Sequence, residues 1–205
     1  MSRFFAILAG LVVVFGLGTG LYIALRPAPG DQFAKCRTTA VAGGSATIGG
    51  PFELTDHTGQ RVTESDVIDG PTLVYFGYTF CPDVCPLDTY RNAEAVAVLE
   101  ERGIDVKPVM ITIDPERDDA ESMAAFAEYM HEDMVGLTGT KEEIKAAIKA
   151  YRVYAAKNGE GDNYLMDHST WTYLMAPDHG FLEFFNRDVT PEDMADQVAC
   201  FVENL

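Results

Sequence analysis

Two β-rich apolar runs, Thr72 to Phe76 and Val106 to Ile113, flank a stretch of helical periodicity, Asp88 to Glu101, and this order restricts the fold most. A helix between two buried strands carries the chain back over one face of a sheet, so the strands lie parallel through a right-handed crossover. The helix takes Ala93, Val96, Ala97 and Leu99 as its apolar positions. After the loop Asp114-Pro115-Glu116-Arg117-Asp118 a second helix runs to about Met130, followed by a short segment from Met134 to Leu137. Thr140-Lys141-Glu142-Glu143 reads as the capping box of a third helix, ending near Tyr151. Trp171 to Met175 and Phe181 to Phe185 alternate around the turn Pro177-Asp178-His179-Gly180, and Thr190-Pro191 opens a last helix. Upstream, Phe52-Glu53-Leu54 and Arg61-Val62 flank Asp56-His57-Thr58-Gly59, predicting an N-terminal hairpin. The class is α/β, and the order of elements is thioredoxin-like.

From Phe4 to Leu25 the chain carries no charge, and Arg3 and Arg26 bracket the run. At about 1.5 Å per helical residue it is long enough to cross a hydrocarbon core of roughly 30 Å. It exceeds the apolar region of a cleaved signal peptide and lacks a small-residue cleavage site beside it, which predicts one uncleaved transmembrane helix. The organisation read from this is an anchor over 1–25, a Pro-, Gly- and Ala-rich tether over 26–50, and a globular domain over 51–205. Arg3 before the span and a strongly acidic remainder place the N-terminus in the cytoplasm and the domain outside. The formal net charge of −17 excludes nucleic acid as a partner and would steer cations toward the domain, although solubility alone accounts for it equally well.

The chemistry sits where the first long strand ends, at Cys81-Pro82-Asp83-Val84-Cys85-Pro86. Two thiols four residues apart share one side of a helical turn. One use is redox: a thiolate activated by the helix N-terminus, with the second thiol resolving the mixed disulfide. The spacing is one residue wider than Cys-x-x-Cys, which loosens that geometry without forbidding it. The other use is a thiophilic metal site, which needs a further donor. His168 in Met166-Asp167-His168-Ser169-Thr170 supplies it best, from a loop before the Trp171 strand. Two thiolates and one imidazole suit Cu(I), and Cu(II) with a weak fourth ligand. Structural zinc wants four ligands at short recurring spacings, and no second pair supplies them. His57, His131 and His179 read as solvated turn or helix-end residues, and Met166 and Met175 as core. A peroxiredoxin is a third and weaker option, because Thr79 lies two residues before Cys81, whereas a peroxidatic site would use Thr three residues before its Cys and a separate Arg.

Phe76-Gly77-Tyr78-Thr79-Phe80-Cys81-Pro82-Asp83-Val84-Cys85-Pro86, Asp114-Pro115-Glu116-Arg117-Asp118 and Asp167-His168-Ser169, in that order, resemble the signature of the Sco family, also called SenC or PrrC. The opening Gly49-Gly50-Pro51-Phe52 with Leu54, and the tether with one anchor, match as well. The resemblance implies a membrane-anchored copper protein with a thioredoxin-like domain that helps to assemble the dinuclear copper centre in subunit II of cytochrome c oxidase. Carried over by motif, it makes Cys81, Cys85 and His168 the copper ligands and Asp114 a neighbour of the site or an occasional ligand. A helix-initiating or loop-fixing role accounts for Asp114 equally well. The reading is a copper metallochaperone on the periplasmic or intermembrane-space face of an inner membrane. It would take copper from another chaperone, be kept reduced by a thiol reductant, and hand copper to subunit II. The rival reading is a thiol-disulfide reductase that maintains the subunit II cysteines. Cys36 and Cys200 lie outside the family's copper motif, and an oxidising compartment predicts a structural disulfide between them.

Overall fold

The computed structural model describes residues 15–22, 25, 32–39 and 47–205. The chain divides into two units, residues 1–35 and 36–205. In the first, residues 15–22 are helical (α1), and the rest of the predicted anchor apart from Leu25 lies outside the described residues. Among the described residues no helix is long and apolar enough to cross a membrane. Of the predicted tether, residues 26–31 and 40–46 also lie outside them.

The second unit is built on strands β1 (Glu53–Asp56), β2 (Arg61–Thr63), β3 (Thr72–Gly77), β4 (Lys107–Thr112), β5 (Val135–Thr138), β6 (Ala155–Asn158), β7 (Leu165–His168), β8 (Thr172–Ala176) and β9 (Gly180–Phe185). Its helices are α2 (Glu64–Val67), α3 (Val84–Glu101), α4 (Ala120–Met130), α5 (Lys141–Ala150) and α6 (Pro191–Val202). Seven strands form one sheet in the order β2-β1-β5-β4-β3-β8-β9. β3, β4 and β5 are parallel, as helix-separated strands must be, whereas β1 joins β5, and β8 joins β3, antiparallel. Every residue of β3 is buried, which fits a strand between two neighbours with both faces covered. Tyr75, Phe76, Met110, Ile111, Leu137 and Tyr151 are among the largest fully buried side chains.

The predicted capping box holds at the start of α5, where Thr140 and Glu143 exchange side-chain and backbone bonds. Thr190 caps α6 with Pro191 in its first turn. Three expectations need correction. The first long helix starts at Val84 rather than Asp88, because Pro86 falls in its first turn, where a missing N–H costs nothing. Its buried face includes Asp88, Thr89, Arg91 and Asn92 beside Ala93, Ala95, Val96 and Leu99, while Ala97 is exposed. Three of the polar ones are paired: Asp88 accepts from Tyr75 and Arg187, Arg91 Nη1 donates to the Asn186 carbonyl at 2.7 Å and Nη2 to Thr172 Oγ1 at 3.0 Å, and Asn92 Oδ1 accepts from Arg91 and Thr172. Thr89 Oγ1, by contrast, is buried without a hydrogen-bond partner among the described residues. Finally, the segment before β8 is not a plain loop, since β6 and β7 pair as a separate two-stranded sheet with Ala155 opposite His168.

Candidate metal centre

The cysteine turn is held from both sides. Asp118, buried at the loop after β4, accepts from Thr79 N–H at 3.0 Å, Thr79 Oγ1 at 2.5 Å and Thr112 Oγ1 at 2.6 Å, and its carbonyl accepts from Thr138 Oγ1 at 2.6 Å. Burial pushes its carboxyl above the ordinary value, against those hydrogen bonds. One residue therefore ties the segment before Cys81 to β4 through its side chain and to β5 through its carbonyl. Gly77 ends β3 where a Cβ would stand 2.7 Å from the Tyr75 ring and 3.2 Å from Cys85 Sγ, so any side chain here would displace that ring and crowd the sulfur.

Helix α3 starts without a side-chain cap from Asp83. Cys81 Sγ takes that place and accepts the Cys85 N–H at 3.3 Å, so the sulfur faces the positive end of the helix. The Cys85 thiol donating toward Cys81, with the backbone N–H groups of Asp83 and Cys85, holds Cys81 well below the usual thiol range despite its burial. The same contact, with full burial, pushes Cys85 up and keeps it a neutral thiol.

His168 arrives as the last residue of β7, facing inward with Met166 while Leu165 and Asp167 face out. Its Nε2 lies 3.3 Å from Cys85 Sγ, and its Nδ1 lies 2.7 Å from the Ser169 carbonyl. A carbonyl can only accept, so Nδ1 carries the proton and the Nε2 lone pair points at the thiols, the tautomer a metal ligand requires. Tyr75 and Tyr78 present edges to the imidazole at centroid distances of 6.2 and 6.0 Å. The Tyr75 hydroxyl donates to Asp88 Oδ2 at 3.1 Å, and Arg187 Nε donates to Asp88 Oδ1 at 3.0 Å. The three donor atoms of Cys81, Cys85 and His168 all lie within 4.8 Å of one another. A thiol held toward its thiolate form, an adjacent thiol and an imidazole nitrogen facing both make a soft donor set that suits Cu(I).

Asp114 is buried with both carboxylate oxygens engaged: Arg117 Nε donates to Oδ2 at 2.6 Å and the Tyr164 hydroxyl to Oδ1 at 2.7 Å. Cys36 and Cys200 form a disulfide in the second unit, and Cys81 and Cys85 are free thiols. His57 Nδ1 accepts the Gly136 N–H at 3.1 Å and so ties the hairpin turn to β5. Glu100, His131 and Asp133 form a second grouping at the surface. There, His131 Nδ1 accepts the Asp133 N–H at 3.2 Å, which puts the ring proton on Nε2 and leaves no free lone pair for a metal. Met175 is core, and Met166 packs partly buried against it. Sequence reasoning missed Tyr75, Tyr78, Asp88 and the β6–β7 sheet. Only the last left a signal, the period-two alternation of Tyr164, Met166 and His168.

The SCO1/SenC family model matches residues 40–203. Over 205 residues the chain is 50% identical to Protein SenC of Rhodobacter capsulatus, spanning 100% of this chain and 92% of that protein. The crystal structure of Arabidopsis thaliana ScoI with copper bound superposes with a TM-score of 0.73 at 40% identity, covering 76% of this chain and 99% of that one. BsSco, described with a disulfide switch and as a member of the Sco family of cytochrome c oxidase assembly proteins, superposes with a TM-score of 0.61 at 26% identity, covering 76% of this chain and 91% of that one.

Proposed function

The chain belongs to the SCO1/SenC family, and from that premise we propose that it is a copper carrier for cytochrome c oxidase assembly. Copper is its cargo, held by Cys81 Sγ, Cys85 Sγ and His168 Nε2. The observation that carries the reading is the convergence of these three soft donors within 4.8 Å, with the imidazole already in the ligating tautomer. Thiolates favour Cu(I) and must be reduced before loading, so the carrier depends on a thiol reductant. Delivery by ligand exchange to the dinuclear copper site of subunit II, from a domain anchored by residues 1–25 on the periplasmic side of an inner membrane, completes the proposal.

The paired thiols also support a second reading as a thiol-disulfide reductase. The Cys81 thiolate would attack a target disulfide and form a mixed disulfide; Cys85, deprotonated, would then displace the target sulfur. The target leaves as a dithiol, and the carrier as a Cys81–Cys85 disulfide. Anaerobic copper titration of the reduced protein, wild type beside His168→Ala, separates the readings. A carrier loses more affinity with His168 than the roughly 10- to 100-fold that removal of an outer partner of a metal ligand costs. Disulfide reduction of a model substrate stays within a few-fold, since the imidazole is not a reacting group there. If His168→Ala binds copper as wild type and supports oxidase assembly, while Cys81→Ser or Cys85→Ser abolishes it, the reductase reading replaces the carrier.

A further inference from the structure

β7 carries His168, yet among the described residues it pairs only with β6 and has no strand neighbour in the seven-stranded sheet. Something other than a β-ladder must fix the imidazole against the thiols. The described contacts supply two side-chain ties. The Met166 N–H, on the edge of β7 two residues before His168, donates to the Tyr78 hydroxyl at 3.2 Å. The Tyr78 carbonyl accepts the Cys81 N–H at 3.3 Å, and its ring is one of the two that present an edge to His168. One residue therefore touches the cysteine turn through its backbone and its hydroxyl, and the histidine strand through its side chain.

The second tie is Arg117. Its Nε binds Asp114, its Nη1 donates to the carbonyls of Tyr164 at 3.0 Å and Asp162 at 3.4 Å, and its guanidinium lies 3.6 Å over the Tyr164 ring. The same guanidinium lies 4.9 Å from the ring of Phe80, the residue before Cys81, and 5.7 Å from the Tyr78 ring. Lys157 Nζ sits 3.7 Å over Tyr164, and the Tyr164 hydroxyl returns to Asp114. Arg117 thus joins the turn of the β6–β7 hairpin to the residues that precede the cysteines. Lysine could keep the charge against Asp114 but not the planar stack with two carbonyl bonds.

We propose that Tyr78 and Arg117 are positioning residues that latch the β6–β7 hairpin onto the cysteine turn and so set where His168 meets Cys85. The inference rests on the copper-carrier reading and names what assembles its ligand set. Neither side chain touches metal in this account; Arg117 acts through His168, and Tyr78 acts through His168 and through its hydroxyl, which also faces the Cys81 sulfur. The effect of Arg117 must therefore disappear when His168 is removed, and that of Tyr78 must shrink.

A double-mutant cycle tests this on the full-length chain, with Cu(I) affinity read by competition with bicinchoninate. Tyr78→Phe keeps the ring and deletes the Met166 acceptor; it should weaken copper roughly five- to tenfold, the worth of one hydrogen bond. Arg117→Gln should weaken it at least as much, and Arg117→Lys should fall between. In the His168→Ala background neither Arg117 variant should cost further affinity, and the loss from Tyr78→Phe should shrink to what its contact with Cys81 supplies. Equal losses in both backgrounds, or no loss in either, overturn the latch. Should Arg117→Gln fail to fold, the Tyr78→Phe pair decides alone, with an unchanged melting temperature as its control. A metal-free readout separates this from failure of the carrier reading. In the apo protein Tyr78→Phe should abolish the protection of the Met166 amide and shift the His168 ring resonances, and unchanged spectra refute the latch whether or not copper binds.

Discussion

Reduction of the Cys36–Cys200 disulfide should cost this domain far more stability than loss of any single contact at the metal centre. The two cysteines are 164 residues apart, so the bond closes nearly the whole domain into one loop. Chain-entropy arithmetic for a loop of that length gives about 5 kcal/mol at 25 °C as an upper figure, acting through the unfolded chain. The folded side adds to it. Residues after Cys36 satisfy Glu183, which is 1% exposed: its carboxylate accepts from Thr38 N–H at 3.0 Å, Thr39 N–H at 3.3 Å and the Thr39 hydroxyl. Gln197 donates to the Cys36 carbonyl and to Thr38 Oγ1, both at 2.9 Å. With the bond open this segment can leave, and Glu183 then needs water in its place.

Urea denaturation with and without dithiothreitol is the assay. Because Cys81 and Cys85 are free thiols, the reductant acts on one bond only. With a urea slope of about 2 kcal/mol/M, the midpoint should fall by roughly 2 M, and the melting temperature by about 10–20 °C. The slope itself should rise, since the reduced unfolded chain is less compact. The Cys36→Ser, Cys200→Ser double variant should reproduce the reduced protein and no longer respond to dithiothreitol. A change below about 1 kcal/mol on reduction would refute the reasoning, because it would mean that the unfolded chain is equally restricted without the bond.

Alkylation of Cys81 by iodoacetamide should stay nearly constant as pH falls from 8 toward 6, whereas an ordinary thiol with pKa about 8.5 slows about tenfold per unit over that range. The sign follows from the lowered Cys81 value: the reactive thiolate persists below the usual thiol pKa and is lost only as pH falls through the depressed one. An alkylation rate that falls tenfold per unit from pH 8 downward counts against it. For the proposed anchor, protease added to spheroplasts should digest the domain, and the mature N-terminus should precede residue 24; a protected domain, or a chain beginning after Ala24 or Ala28, removes the membrane proposal.

The parallel core was legible because its signal is local and redundant. Leu73 to Gly77 and Pro108 to Ile111 are continuous apolar runs, and a helix between them leaves one handed solution. The start of α3 was not, since Pro86 reads as a break although a first-turn proline is compatible with a helix. Nor was its buried polar face. Asp88 and Arg91 look like solvent residues until Arg187 and Asn186, about a hundred positions away in sequence, are placed beside them. Periodicity weighs each residue by its own polarity, and these owe their burial to partners that the helix itself does not encode.

The metal centre divides along the same line. Cys81 and Cys85 lie one helical turn apart, so their meeting follows from backbone geometry once the strand-to-helix turn is recognised. His168 meets Cys85 across 83 residues, and among the described residues the strand that carries it has no ladder with the main sheet. Composition along β6, Ala155–Asn158, gives no strand pattern, because two of its four residues are exposed and one face is never fully buried. What seats the hairpin is a set of side-chain bonds to its backbone, Tyr78 to Met166 and Arg117 to Asp162 and Tyr164. Such bonds depend on three-dimensional placement rather than residue spacing. A sequence can therefore name the imidazole as a donor through its motif, while the residues that bring it to the thiols emerge only from the fold.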